Sequence, residues 1–210
     1  MIRLFVVVMF ISVALSEYGE VETEVMGWMD KATFSCGPGG VIEISDAYYG
    51  GTYKTDCISK TVQSSVEYLC NGLPTCSFSV EPKFIGGDPC LNAGKDFRVK
   101  YKCKATSGDL VETLPVCENE SVHISCGPKA IIQIAAVFFG RLSADICPAP
   151  LPNGEKDFTN LCVSGEAANI VRNRCDGKSA CSIKAAPNIL KDPCPGTKKY
   201  LQVKYSCNCD

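Results

Sequence analysis

Apolar and polar residues alternate in two short segments of the chain, residues 97–101 and 201–205. In each segment apolar side chains occupy every second position, and a cysteine follows two residues after the last of them. A period of two is typical of a strand that buries one face. We therefore predict two equivalent strands, each near the end of a folded unit.

Upstream of each strand, apolar residues recur every three or four positions, as they do on one face of a helix. They are Val62, Val66 and Leu69 in the first segment, and Ala167, Ile170 and Val171 in the second. The turn-forming pairs 71–72 and 176–177 follow, and each leads into strand-like residues. Each unit is therefore predicted to be α+β, with strands at both ends and a short helix between them.

The cysteines repeat in the same register as these elements. Ten of the fifteen form two ladders whose intervals differ at one place only. The ladders are Cys57, Cys70, Cys76, Cys90 and Cys103, then Cys162, Cys175, Cys181, Cys194 and Cys207. A Cys-Gly-Pro triplet precedes each ladder, at 36–38 and 126–128. Since unrelated segments do not share such a register, the chain is predicted to use one disulfide-framed module twice.

Composition along the chain predicts its boundaries. Residues 1–16 combine a basic start, an apolar stretch and small residues at the end, which is typical of a secretory signal. We predict an acidic tail at 17–26, a first module at 27–103, a linker at 104–115, a second module at 116–208 and a C-terminal pair at 209–210. The protein is therefore predicted to be secreted and extracellular, where its cysteines can form disulfides.

Charge and motifs exclude several functional classes. The formal net charge is −2, and no stretch after the signal is long and apolar enough for membrane insertion, so neither nucleic acid nor membrane is predicted as a partner. His123 is the single histidine and lies in a predicted strand, where a general base is not expected. The sequence contains no His-Cys metal cluster, phosphate-binding glycine loop or serine elbow. It therefore predicts no enzyme, no metal site and no cofactor.

Four short motifs, taken in order, resemble the sea urchin egg lectin family of galactoside- or rhamnose-binding domains, which also occur on latrophilin-type receptors. They are Gly-Pro after an early cysteine, aromatic-Gly-Arg at 139–141, Asp-Pro-Cys at 88–90 and 192–194, and Lys-Tyr-Leu at 199–201. The resemblance covers nearly all of the chain after residue 16 as two tandem domains. It implies small disulfide-rich α+β modules, each with an antiparallel β-sandwich-like sheet and a short helix.

The same resemblance implies how the cysteines pair. Family domains join their eight cysteines first to third, second to eighth, fourth to seventh and fifth to sixth. The second module has all eight, whereas the first has Gly27 in place of one and lacks the counterpart of Cys147. The implied bridges are Cys36–Cys103, Cys57–Cys90, Cys70–Cys76, Cys117–Cys147, Cys126–Cys207, Cys162–Cys194 and Cys175–Cys181. Cys209 is left over, and it either links two chains as a homodimer or remains a free or capped thiol.

The resemblance also implies a sugar pocket in the second module, lined by Glu118, Phe139, Arg141, Asp192, Gly196 and Lys199. Carboxylates accept sugar hydroxyl hydrogens and an ammonium group donates its own, so this set suits a neutral sugar without a metal. Arg141 has an alternative role, which is to orient the carboxylates through a charge-assisted bond. Taken singly, the other charged residues also have structural interpretations, as loop, turn or strand residues.

Two features change this pocket relative to the family. Phe139 stands where the family usually has Tyr, so a hydroxyl is missing. Asn119 begins a glycosylation sequon directly beside Glu118. A glycan on Asn119 would shield the pocket, and the sequon could equally be unused.

The first module keeps only part of the set, with Tyr49, Asp88 and Lys95 as a candidate site. The family's Glu, Arg, Gly and Tyr are replaced there by Trp28, Gly51, Asn92 and Asp96. Sugar binding by the first module is therefore predicted to be impaired.

We predict a lectin that binds rhamnose- or galactose-type sugars on cell-surface or microbial glycans, mainly through the second module. The alternative is a protein-interaction or adhesion module that binds a protein receptor and has a vestigial sugar site. A secreted effector or toxin-like protein is a third interpretation.

Overall fold

The computed structural model describes residues 19–51, 57–91, 93–105, 108–143, 145–148 and 162–209. The predicted signal at 1–16 and Asn92 lie outside these residues. The described chain is mixed α+β, and each of its strand pairings is antiparallel. The α+β fold class predicted from the sequence is confirmed.

Among its described residues, the first module contains two sheets and one helix. Its elements are β1 (Val21–Glu22), β2 (Lys31–Ser35), β3 (Gly40–Gly51), α1 (Val62–Cys70), β4 (Thr75–Ser79) and β5 (Lys95–Ala105). One sheet has the order β1-β5-β3, and the other pairs β2 with β4.

The second module repeats this arrangement with additions. Its elements are β6 (Val111–Glu112), β7 (Val116–Cys117), β8 (Ser121–Ser125), β9 (Ala130–Arg141), β10 (Cys162–Val163), α2 (Ala167–Cys175), β11 (Ala180–Lys184), α3 (Pro187–Leu190) and β12 (Tyr200–Cys209). The large sheet has the order β10-β9-β12-β6 with β7 also on β12, and β8 pairs with β11.

Each module buries its own apolar core between the two sheets and the helix. In β5, Phe97 and Val99 are buried and Arg98 is exposed, as the alternation predicts. In α1, Val62 and Val66 are buried because they lie on the face that packs against β3. A side chain closes the turn after each helix: Asn71 accepts a hydrogen bond from the Ile44 N–H at 2.8 Å, and Asp176 does the same for Ile134 at 2.7 Å.

Seven disulfides are present among the described residues. They join Cys36–Cys103, Cys57–Cys90, Cys70–Cys76, Cys117–Cys147, Cys126–Cys207, Cys162–Cys194 and Cys175–Cys181. These are the pairs that the family resemblance implies, and each lies within one module. The longest loops closed are those of Cys36–Cys103 and Cys126–Cys207, with sequence separations of 67 and 81.

Part of the predicted acidic tail is a strand, and the side chains of that strand are exposed. β1 pairs with β5, and the N–H of Thr23 donates to the Val99 carbonyl at 2.9 Å. In the predicted linker, β6 pairs with β12, and Thr113 donates to Val203 in the same way. A Val-Glu-Thr triplet, at 21–23 and 111–113, is therefore part of the repeat.

The two modules pack directly against each other. Helix α1 of the first module lies on β9 of the second, and the rings of Tyr68 and Phe138 are 5.1 Å apart. Lys204 on β12 donates to the Tyr68 carbonyl at 2.7 Å and is only 7% exposed. Arg172 on α2 forms an ion pair with Glu67 on α1 at 3.1 Å. The outer face of the second module's large sheet is therefore covered by the first module.

Candidate functional site

Loops at one end of the large sheet of the second module bring the predicted charged residues together. Glu118 directly follows β7, and Lys199 directly precedes β12, which is the strand that pairs with β7. The N–H of Glu118 donates to the Lys199 carbonyl at 2.9 Å, so the pairing continues beyond the strand ends. Asp192 lies two residues after α3. Residues from three parts of the sequence thus meet because of strand register and a short helix.

Lys199 is the centre of this cluster. Its ammonium nitrogen Nζ lies 3.1 Å from Glu118 Oε2 and 3.1 Å from Asp192 Oδ1. It also donates to the Thr197 carbonyl at 2.7 Å and lies 3.4 Å from the Cys194 carbonyl. The Lys199 side chain is 2% exposed, whereas those of Glu118 and Asp192 are 17% and 33% exposed. A buried cation is thus surrounded by oxygens, and the two carboxylates reach the surface.

The charges in this cluster do not cancel. Glu118 and Asp192 carry two negative charges, and Lys199 carries one positive charge. The ion pairs join the ammonium to Oε2 of Glu118 and to Oδ1 of Asp192, and each carboxylate has a second oxygen. Carboxylate oxygens are acceptors for hydroxyl hydrogens, and a fixed pair of them can hold neighbouring hydroxyls. The cluster therefore has the chemistry of a small polyol-binding site.

Arg141 stabilises the loops that carry this site. It is 4% exposed, and its guanidinium donates to the carbonyls of Lys198, Ser143, Ile146 and Cys147. These partners are all main-chain oxygens, so its alternative role of orienting the carboxylates directly is not what the structure shows. It instead ties the loop after β9 to the residue before Lys199. The Cys117–Cys147 disulfide ties the same loop to the residue before Glu118.

Phe139 and Gly196 contribute differently from the prediction. The Phe139 side chain, which was predicted to line the pocket, has 0% exposure and packs in the module core. Gly196 is exposed and has a φ of +84°, which favours glycine. Its role in the structure is to turn the chain between Asp192 and Lys199. Gly140, between Phe139 and Arg141, lies so close to Cys162 that an added Cβ would be 2.0 Å from its carbonyl oxygen.

The main-chain acceptors around Lys199 and one further carboxylate are not among the residues predicted from the sequence. The carbonyls of Cys194 and Thr197 hold the Lys199 ammonium, and no side-chain pattern signals them. Glu120 accepts from the Cys117 N–H at 2.9 Å and so shapes the loop that presents Glu118. In the sequence Glu120 is marked only by standing three residues after Cys117. A carboxylate at that spacing is common in loops and predicts little by itself.

The first module keeps half of the cluster. Lys95 is 3.1 Å from Asp88 Oδ1 and donates to the Cys90 and Ala93 carbonyls, both at 2.8 Å. Tyr49 is 1% exposed; burial raises the pKa of its hydroxyl, and the charge of Asp88 raises it further. Asp88 and Lys95 thus form an ion pair and Tyr49 is buried in the core of the module, without a carboxylate at the position of Glu118.

Two further predicted residues lie at the surface. Asn119 is exposed with a φ of +75°, beside the cluster. Cys209 is exposed and is the free cysteine of the described chain. Among the described residues no helix has the length and apolar character needed to cross a membrane. The same part of the chain contains no group of three or more His, Cys, Asp or Glu residues arranged to hold a metal ion.

Comparison with known proteins gives two family matches within the chain. The D-galactoside/L-rhamnose binding SUEL lectin domain matches residues 34–103 and 124–207. Rhamnose-binding lectin of Silurus asotus is 32% identical over 181 residues, which are 80% of this chain and 56% of that protein. L-rhamnose-binding lectin ELEL-1 of Echinometra lucunter is 40% identical over 94 residues, 44% of this chain and 87% of that protein.

Relatives whose names do not mention a lectin also match. Protein eva-1 homolog C of Homo sapiens is 26% identical over 195 residues, which are 85% of this chain and 43% of that protein. The chain thus spans about half the length of the Silurus and human relatives. Since the family matches lie in both modules and include the cysteine ladders, the chain belongs to the D-galactoside/L-rhamnose-binding SUEL lectin family.

Proposed function

We propose that the chain is a secreted lectin that binds rhamnose- or galactose-type sugars on cell-surface or microbial glycans, mainly through the second module. The observation that carries this proposal is the cluster of Glu118, Asp192 and Lys199, in which a buried ammonium fixes two partly exposed carboxylates. Membership in a lectin family supports binding rather than catalysis. In this mechanism the sugar is recognised without any covalent bond being made or broken.

The division of roles follows from the geometry. The second oxygen of each carboxylate accepts hydrogens from neighbouring sugar hydroxyls. The ammonium holds both carboxylates in place and lowers the cost of desolvating them when a sugar covers the site. Because the side chains are already held by hydrogen bonds, little conformational entropy is lost on binding.

A glycan array tests this proposal. We expect wild-type protein to bind rhamnose- or galactose-terminated glycans, and Asp192→Asn and Glu118→Gln to bind them about ten- to a hundredfold more weakly, since each removes a charged acceptor. Glu24→Gln is the matched control, because Glu24 is an exposed carboxylate outside the cluster. Binding by wild type that survives both site substitutions would contradict the proposal.

A second candidate function is a protein-interaction or adhesion module that binds a protein receptor. It is favoured by the match of more than four fifths of the chain to eva-1 homolog C, whose name specifies no sugar. In the array this candidate predicts no sugar binding by wild type or by either variant.

A further inference from the structure

We propose that the cavity between the two modules binds a small amphiphilic amine, whose ammonium group pairs with Glu67 and whose apolar body lies against Val41 and Leu110. The ligand class is a primary amine that carries an aromatic or short alkyl group. None of the residues that line this cavity belongs to the cluster around Lys199, and the inference does not depend on the proposed function.

The cavity lies where the modules meet and has a volume of about 350 Å³. Its walls come from α1 and β3 of the first module and from α2 and β9 of the second, with further residues from β5 and β12. Small-molecule sites have volumes of about 300 to 1,000 Å³ and often lie at domain interfaces. Size and position therefore suit a small ligand.

Equivalent positions of the two modules face this cavity. Ile44 and Ile134, which hold the same place in β3 and β9, both line it. Glu67 and Arg172, which hold the same place in α1 and α2, line it too and form an ion pair at 3.1 Å. Because each module supplies part of the lining, a single module of this fold lacks the cavity. The site is therefore a property of the tandem chain.

Glu67 is the group best placed to bind a cationic ligand. Its side chain is 11% exposed, and its carboxylate accepts from Gln63 Nε2 at 2.7 Å and from Arg172 Nη2 at 3.1 Å. A carboxylate has about four acceptor positions, so these two donors leave capacity for a third. An ammonium group in the cavity would add a charge-assisted hydrogen bond to Glu67.

Arg172 does not make this part of the cavity cationic, because a second carboxylate offsets its charge. Asp176 Oδ1 accepts from the Ile134 N–H at 2.7 Å, which places the carboxyl group against the cavity wall. Burial raises the pKa of Asp176, and the hydrogen bond from Ile134 and the charge of Arg172 oppose that rise. Glu67 and Asp176 together outweigh the single guanidinium group.

The other charges around the cavity occur in pairs among the described residues. Lys104 and Glu43 line the cavity and form an ion pair. Lys204 and Glu112 both contact Tyr68 at the module interface, one through its carbonyl and the other through its hydroxyl. Since each pair adds one charge of each sign, carboxylates outnumber cations by one around the cavity. A positively charged ligand is therefore favoured.

One wall of the cavity is apolar. Leu110 lies over Gly72, where an added Cβ would be 2.8 Å from Leu110 Cδ1 and 3.5 Å from the Ala135 Cβ. Val41, Leu110 and Ala135 line the cavity and are half-buried, so a ligand there covers apolar surface that water otherwise contacts. An aromatic or alkyl group is therefore expected as the body of the ligand.

Calorimetry with three matched probes tests the charge preference. Phenethylamine, phenethyl alcohol and hydrocinnamate share one apolar body and carry a cationic, a neutral and an anionic head group. We expect saturable binding of phenethylamine and binding of the other two that is weaker by about tenfold or more. Phenethylamine should also raise the unfolding temperature, since it binds the folded chain. No binding of phenethylamine, or equal binding of all three probes, overturns the inference.

Variants test whether the amine binds in the cavity. Glu67→Gln should weaken phenethylamine binding about tenfold, because the charge is lost and the shape is kept. Val41→Trp should abolish binding by filling the cavity. Ile131→Trp is the matched control, at the equivalent position of β9 outside the lining, and should bind as wild type does.

Circular dichroism checks the folding of each variant, and the Glu67→Gln result decides the outcome if Val41→Trp is unfolded. Unchanged binding in either folded cavity variant overturns the inference, and so does loss of binding in folded Ile131→Trp.

The amine site and the proposed sugar site are separable. Asp192→Asn should leave phenethylamine binding unchanged, and a loss there would place the amine at the Lys199 cluster and overturn the inference. A chain that binds phenethylamine and no glycan supports the inference and contradicts the proposed function. A chain that binds glycans and no phenethylamine does the reverse.

Discussion

At the scale of single residues, Arg141 shows that a residue predicted from a motif to line a pocket can have a structural role. Its guanidinium presents several N–H groups in a rigid plane, and four main-chain carbonyls surround them. A lysine has three donors on one nitrogen and cannot reach all four. The residue therefore stabilises the loop from which the site is built.

We predict that Arg141→Lys lowers the free energy of unfolding by about 2 to 4 kcal/mol, because buried carbonyls lose charge-assisted hydrogen bonds. Urea unfolding measures this change. Arg98→Lys is the control, since Arg98 is exposed and stacks over Tyr48 at 4.6 Å, and it should change stability by less than about 0.5 kcal/mol. Equal effects of the two substitutions would contradict the structural role of Arg141.

Asp176 gives a prediction about pH. Burial, the largest cause, raises the pKa of its carboxyl above the ordinary 3.8, although the hydrogen bond from Ile134 and the charge of Arg172 lower it. A raised pKa in the folded state means that stability is lost as pH rises through that pKa, because the unfolded carboxyl ionises more easily. Asn71 performs the same hydrogen-bonding role in the first module without a charge.

We therefore expect Asp176→Asn to be slightly more stable than wild type near neutral pH. The gain should shrink as pH falls through the raised pKa and vanish below about 3.8, where both side chains are neutral. The effect is small because Asp176 is partly exposed. Urea unfolding at a series of pH values measures it, and a stability difference that does not vary with pH would refute the explanation.

At the scale of elements, α1 and α2 occupy equivalent places but have different outer faces. Tyr68 on α1 stacks on Phe138, and its hydroxyl is shared between Gln202 Oε1 at 2.7 Å and Glu112 Oε1 at 3.0 Å. The residue in the same position of α2 is Asn173, which is exposed. At this position the first helix is therefore part of an interface, whereas the second helix meets the other module through Arg172 and leaves Asn173 exposed.

We predict that Tyr68→Ala lowers the free energy of unfolding by about 2 to 3 kcal/mol and that Tyr68→Phe lowers it by about 1 kcal/mol, since Phe keeps the ring and loses the hydroxyl. Differential scanning calorimetry should also resolve two transitions in Tyr68→Ala, because the modules become less coupled. Asn173→Ala is the matched control and should behave as wild type. A single unshifted transition in Tyr68→Ala would show that the interface does not couple the modules.

The elements also show what the sequence alone could predict. The alternation at 97–101 and 201–205 and the helical spacings lie within β5, β12, α1 and α2, because local periodicity reports a buried face. Lys204 does not fit this pattern. The alternation predicts that its side chain is exposed, yet the other module covers it. The two-residue strands β1 and β6 were missed because three matching residues in each copy carry too little signal. A local sequence pattern contains no information about packing between residues that are far apart in the chain.

The candidate site was predictable to a similar extent. The charged residues Glu118, Asp192 and Lys199 were predicted from motifs. In the structure each carboxylate lies 3.1 Å from the Lys199 ammonium. The burial of Phe139 was not predictable, since an aromatic residue before Gly-Arg fits both a pocket and a core. The main-chain carbonyls that complete the Lys199 environment have no sequence signature.

At the scale of the whole molecule, Cys209 bears on how many sites act together. It lies at the end of β12, opposite Ala130, and is exposed. We expect it to link two chains under oxidising conditions, which would raise avidity for multivalent glycans without new sugar contacts. Non-reducing mass spectrometry should show a dimer for wild type and a monomer for Cys209→Ser. A monomer in both, or a dimer that persists in Cys209→Ser, would contradict this expectation.

The order of the modules follows from their outer sheet faces. In the first module the cross-strand pair Tyr48–Arg98 makes that face polar, whereas its counterpart in the second module is Phe138–Gln202. Phe138 has 0% exposure, because Tyr68 packs on it together with Tyr200 of its own module. A polar face can remain in contact with water, whereas an apolar face needs the neighbouring module to cover it.

This asymmetry predicts the behaviour of the second module alone. A fragment of residues 108–209 exposes Phe138 and Lys204 to water, so we expect it to self-associate and to unfold at a lower temperature than the full chain. The double substitution Phe138→Tyr and Gln202→Arg copies the polar pair of the first module and should restore a monomer. Size-exclusion chromatography and thermal unfolding measure both effects. Monomeric behaviour of the unmodified fragment would mean that the first module is not needed to cover this face, and the fixed order of the modules would then require another explanation.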